Sequence, residues 1–283
     1  MQTDLNATRE PRRLALIDLD DTLLGPGKQI SSANRKAIDH LRMAGFEVAI
    51  ASGRLHQNIV RFDEPIGGMG WVVSSQGAVV RHARTNELLY EVALLEKEAL
   101  EIYAAARSAQ LSIIVYHRDG VFIEQESEWT RLYGERAGWM PELVDLSKLA
   151  ASGVQKVLLA QSKAAMASMR SGLEISFGKR FYLVETDSEI TEVLSLRANK
   201  MFGAEAVARK LAVDRCNVVA FGDGYNDVEL LSWSGFSVAM AHGRPEAQKA
   251  ATRISPPGPP ETAFARAVAL MLRETGDRPV AQR

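Results

Sequence analysis

The chain has a single cysteine, Cys216, in 283 residues, so no disulfide can close within it. That suits a reducing compartment, and a cytoplasmic location is the expectation. Cys216 adjoins the apolar run 217–221, where a buried, inert thiol is expected. No apolar run approaches the roughly 18 residues of a membrane span. The first 13 residues are polar and lack the apolar core of a signal peptide, so they read as a frayed tail. Charge of either sign is not in excess. The net charge is -1, which leaves no global field to attract nucleic acid or an anionic membrane. One local basic run, "REPRR" at 9–13, reads as a solvated tail in preference to a docking arm. There is no internal repeat and no low-complexity segment. The expected partner is therefore a small molecule; oligomeric state is not legible.

What is present is the material of a sizeable core. Hydrophobic residues make up 46% and charged residues 24%, and the length is comfortable for two domains. "LALID" at 14–18 is apolar and too short for a helix, so it reads as a buried strand. Ser31 or Ser32 caps a helix carrying Ala37, Ile38, Leu41 and Ala44, and Gly45 lies just beyond its end. "FEVAIA" at 46–51 and "WVVSS" at 71–75 are the next strands. The rhythm returns in the last third. A helix at 200–212 precedes "NVVAF" at 217–221, a helix at about 226–233, "FSVAM" at 236–240 and a last helix at about 261–273. Residues after Gly276 read as disordered. Strand, helix, strand in this order implies a doubly wound, Rossmann-like parallel sheet. The middle differs: helix patterns at 94–108, 127–137 and 162–172 alternate with five strand-like runs. It reads as a smaller α/β unit, 89–193, inserted between the core segments 1–88 and 194–283.

Four clusters carry chemistry. Asp18, Asp20 and Asp21 crowd the end of the first strand. Side chains two apart on an extended segment face the same way, so Asp18 and Asp20 point together out of the strand's C-terminal end, where open α/β sheets bind ligands. A hard divalent cation would offset their repulsion; the plainer alternative is an acidic turn. "ASGR" at 51–54 follows a strand, and a small hydroxyl beside glycine lets backbone N–H groups approach an anion, or it is a plain strand-to-helix turn. Lys200 opens a helix, an unfavourable place for a cation unless it faces a phosphate; otherwise it is a solvated surface lysine. "FGDGYND" at 221–227 sets Asp223 in a Gly-Asp-Gly turn, with Asn226 and Asp227 opening the next helix, where either is also a natural N-cap. Together the four supply a nucleophile, an acid–base, a metal site and a phosphate cradle, the set for phosphoryl transfer through an acyl-phosphate.

"DLDDTLL", "ASGR", the lysine and "GDGYND" occur in the order and at the intervals of the haloacid dehalogenase-like superfamily. The chain resembles its Cof-like phosphatases, which carry a large α/β cap after the second motif, over about residues 13–273. The resemblance implies a Mg2+-dependent phosphatase acting on a small phosphorylated metabolite. Asp18 would be the nucleophile. Asp20 would be general acid and then base, lending its backbone carbonyl to Mg2+. Asp223 would ligate the metal, and Asp227 would support it directly or through water. Ser52, Gly53, Arg54 and Lys200 would hold phosphate or substrate, Asn226 would orient Ser52 and Lys200, and Thr22 would brace the first loop. The chain departs from the pattern at Gln76-Gly77-Ala78 in place of "NGA", at Met201 after the lysine, and at Ala241-His242-Gly243. A phosphotransferase or phosphomutase of the same design is the main alternative. A non-catalytic relative is the other, although it would be expected to have lost Asp18, Asp20 or Lys200. For substrate contacts in the inserted unit, His117, Arg118, Asp119, Thr186, Asp187 and Ser188 stand at its expected strand ends.

Overall fold

The computed structural model describes residues 12–118 and 120–276. Most of the basic run 9–13, the tail after Gly276 and Asp119 lie outside the described residues. Two sheets organise the chain. The larger has eight strands in the order Arg253–Ile254, Phe236–Ala239, Val218–Gly222, Arg13–Asp18, Phe46–Ala51, Trp71–Ser74, Val79–His82 and Leu88–Glu91. The first six run parallel, and the last two add an antiparallel hairpin at the edge.

The reason is visible in the first strand, apolar on both faces as a central parallel strand must be. Ala15 and Ile17 pack on one side with Ile38 and Leu41 of the helix Ser32–Met43 and with Phe264, Val268 and Met271 of the helix Ala263–Glu274. Leu14 and Leu16 face the other side, against Ala204 and Val207 of the helix Lys200–Leu211. The Ser31 hydroxyl accepts the Asn34 N–H as the N-cap, and Gly45 takes a φ of 83° beyond the helix end, as the sequence predicts.

The second sheet is built entirely from the middle of the chain. Its order is Phe181–Asp187, Ile190–Ser195, Val154–Ala160, Ser112–His117, Gly120–Ile123 and Glu142–Leu143, antiparallel apart from the last pair. The helices Glu96–Ser108 and Lys163–Phe177 cover one face through Ile102, Tyr103, Met166 and Phe177. The other face gathers Tyr116, Leu158 and Ile190 around Leu55, which comes from the larger unit.

Three local readings change. The expected helix at 226–233 starts later: Tyr225–Asp227 is a 3-10 turn and the α-helix runs Val228–Trp233, because the Asp227 carboxylate is drawn back to two backbone N–H groups. Cys216 is exposed, not buried, since it lies in the turn Arg215–Asn217 before the strand begins at Val218. The hairpin Val79–Glu91 adds to the predicted strands; its outer strand alternates weakly and is half-exposed, so the sequence pattern does not mark it.

Candidate active site

The C-terminal ends of the strands Arg13–Asp18, Phe46–Ala51 and Val218–Gly222 converge on one cavity of about 920 Å³. Pairing of the first strand with both neighbours puts Asp18 beside Ala51 and one step beyond Phe221, so three clusters distant in sequence meet.

Lys200 is the hub. Its side chain is fully buried, and its ammonium donates to Asp18 Oδ1 and to Asp227 Oδ1, each at 2.6 Å. The surface-lysine alternative is thereby excluded. Burial works against that charge, but Asp18 and Asp227 outweigh it and hold the Lys200 pKa above its ordinary value. The helix start tolerates the cation because Asn199 caps it, accepting the Phe202 N–H, and because two carboxylates face it.

Asp227 uses both oxygens. While Oδ1 accepts Lys200, Oδ2 accepts the N–H groups of Asp223 and Gly224 and so folds the Gly-Asp-Gly turn onto itself. Asp223 is held from the other side by the Thr22 hydroxyl, at 3.0 Å. Oxygens of Asp18, Asp223 and Asp227 lie within 4.8 Å of one another. Burial first, and repulsion from Asp227 second, push the Asp223 pKa up to about 7 and raise that of Asp18 well above the carboxylate range. Three carboxylates stand around one ammonium, so full ionisation would leave two negative charges uncompensated in a buried site. A hard divalent cation is what such an oxygen set fits.

Asp20 stands apart from this cluster. Arg54 grips it with Nε and Nη2 at 2.7 and 2.6 Å, and Lys28 approaches at 3.0 Å. Burial alone would raise the Asp20 pKa; Arg54 and Lys28 outweigh it and hold it below the ordinary value. Ser52 accepts the Arg54 N–H at its hydroxyl. A Cβ at Gly53 would come 2.5 Å from the Gln76 amide nitrogen, so any larger residue there displaces the Gln76 side chain. The Asn226 amide donates to Gln76 Oε1 at 2.9 Å.

Among the other lining residues, Gln76 and His242 stand at the departures from the family pattern, whereas Lys156 and Glu192 carry no expectation from the sequence. Gln76 is buried with a φ of 60°, between Ser75 at 49° and Gly77 at 96°, three left-handed residues in succession that bring the backbone against Asn199. Lys156 and Glu192 form a buried ion pair on the second sheet and line the cavity. Their signal was available: each is the charged residue inside an apolar strand run. His242 lines the cavity and lies 2.7 Å from the Asp21 carbonyl. Of the strand-end residues, Thr186 and Asp187 line the cavity, whereas His117 turns away to Ser152. Ser188 hydrogen-bonds to Asp187. Among the described residues no helix is long and apolar enough to cross a membrane.

Similarity to known proteins agrees with this geometry. An HMP-PP phosphatase of Cronobacter sakazakii is 26% identical over 234 residues, covering 83% of this chain and 86% of its own. A phosphatase of Bacillus subtilis is 25% identical over 273 residues, covering 86% and 94%. Among solved structures, a haloacid dehalogenase-like hydrolase from Bacteroides thetaiotaomicron superposes with a TM-score of 0.78 at 24% identity, covering 92% of this chain and 99% of that one. The sequence matches the family described as haloacid dehalogenase-like hydrolase across residues 15–259, a span that includes all four clusters, and the chain belongs to that family.

Proposed function

We propose that this hydrolase is a Mg2+-dependent phosphatase that acts on a small phosphorylated metabolite through an aspartyl-phosphate on Asp18. The observation that carries the reading is the Lys200 bridge between Asp18 and Asp227 beside Asp223. The ammonium takes Asp18 Oδ1, and Asp18 lines a ligand-sized cavity. The relatives named as phosphatases support the same chemistry.

Asp18, Asp223 and the Asp20 backbone carbonyl would hold Mg2+, with Asp227 bracing Asp223 through their shared turn. When bound there, the ion would supply Lewis acidity and screen the phosphoryl charge from the attacking carboxylate. Asp18 attacks phosphorus as the bond to the leaving oxygen breaks, and Asp20 delivers a proton to that oxygen. Water then attacks phosphorus, returns a proton to Asp20 and frees Asp18 and inorganic phosphate. Arg54 and Lys28 keep Asp20 ionised in the empty cavity. An entering phosphate competes for both cations and adds negative charge nearby, which favours protonation of Asp20. Ser52 and Lys200 bind the phosphoryl oxygens. The inserted unit, expected at 89–193, acts as the cap; the sheets move its edges, since Leu88–Glu91 pairs in the larger sheet and Ile190–Ser195 in the second, and its polar wall selects the leaving group.

The test is a phosphate-release screen across sugar phosphates, nucleotides and phosphorylated cofactors, diphosphates included, with no added acceptor. Release should need Mg2+ and vanish with chelator after dialysis. Undiminished turnover in chelator overturns the mechanism. Transfer only to an added acceptor makes the protein a phosphotransferase.

A further inference from the structure

The loop Ser52–Leu55 is held from above as well as from its own sheet. The Lys156 ammonium, carried by the second sheet, donates to the Gly53 carbonyl at 2.9 Å across 103 residues of sequence. The same ammonium binds both oxygens of Glu192 at 3.0 and 2.9 Å and stands 4.1 Å from the Tyr116 ring centroid. Two residues on, Leu55 is 1% exposed and is packed among Ile114, Tyr116, Leu158 and Ile190 of the second sheet. A buried ion pair is costly to desolvate, and an apolar pair of similar volume is often as stable or more so. The third hydrogen bond of Lys156 goes to the loop that carries Ser52 and Arg54.

We propose that Lys156 is a positioning residue: it fastens the cap to the Gly53 carbonyl, so that Ser52 and Arg54 take their working orientation only when the cap is seated. Leu55 provides the apolar seat and Lys156 the directional contact. The substrate's leaving group is thereby sensed twice, once by the cap wall and once through the loop that grips the phosphate and Asp20. This inference rests on the reading of 52–54 as the phosphate-binding loop.

The experiment compares Lys156→Met, which strands the Glu192 carboxylate, with the double variant Lys156→Met/Glu192→Leu, which restores an apolar pair. The double variant should regain the thermal stability that the single one loses. Its kcat should nevertheless stay about 10- to 100-fold below wild type, the effect of one lost charge-assisted hydrogen bond. Amide hydrogen exchange across 52–55 should be about 10-fold faster in the double variant, in the enzyme without substrate. Full recovery of kcat and of loop protection in the double variant would overturn the proposal and make Lys156 a stabilising residue only. Hydrogen exchange reads the latch whether or not the enzyme turns over. Absence of phosphate release by the wild type would thus refute the phosphatase reading, while unchanged loop exchange would refute this one.

Discussion

Replacing Lys200 with methionine should cost more stability at pH 8 than at pH 5, and Mg2+ should return part of it. At 2.6 Å and an effective dielectric of ~20, each contact of the ammonium with Asp18 and Asp227 is worth about 6 kcal/mol. Desolvating the three charges consumes most of that. Removing the cation leaves two buried carboxylates unpaired, for a net loss of about 3–5 kcal/mol, or on the order of 10 °C in Tm. The pH dependence follows from the direction of the shifts. Asp18 and Asp223 have pKa values raised on folding, Asp223 to about 7. Such a carboxyl binds more protons in the folded state, so the contribution of these two groups to metal-free stability is present below about pH 4 and is lost as pH climbs through 7. Lys200 is shifted up and stays charged throughout that window, contributing stability that disappears only in strong alkali. In Lys200→Met the decline should steepen, because nothing offsets the carboxylates as they ionise. Thermal unfolding of the metal-free variant and wild type at both pH values, with and without MgCl2, measures it. Turnover should fall by about 10³, as for loss of a charged phosphoryl-oxygen donor. A variant as stable as wild type at pH 8, or one more stable at pH 8 than at pH 5, would refute this electrostatic account of the site.

Asp18→Asn should end turnover on every substrate, because an amide is a poor nucleophile. Asp20→Asn should still release about one p-nitrophenolate per site from p-nitrophenyl phosphate, since that leaving group needs no proton, and then stall at a rate lower by roughly 10²–10⁴. Mass spectrometry of the quenched Asp20→Asn enzyme should find phosphate on Asp18; label on neither aspartate would favour direct attack by water. Gly77→Ala should destabilise the fold by about 3 kcal/mol, since φ is 96° and the new Cβ would meet the Asn199 carbonyl oxygen at 2.1 Å. Because Asn199 caps the helix that bears Lys200, kcat should drop as well, and a Tm within a degree of wild type would show that the contact relaxes freely.

The four clusters were legible because each is local: a strand end, a turn or a helix start joins neighbouring residues, and local chemistry marks it. Asp18 with Asp20, the Ser52–Arg54 loop, Lys200 and the Asp223–Asp227 turn could all be read this way. The parallel sheet was equally legible, since a strand buried on both faces must be apolar throughout, as 14–17 is. Partnership was not legible. That Asn226 would bind Gln76, or that Arg54 and Lys28 would share Asp20, depends on register between strands and loops that approach only in the folded chain. Sequence alone determined which groups this protein brings to phosphoryl chemistry and at which element ends they stand. Tertiary structure alone decided that Lys200 is buried between two carboxylates and that Lys156 reaches down from the second sheet to Gly53, because burial and charge pairing arise only where distant segments exclude water together.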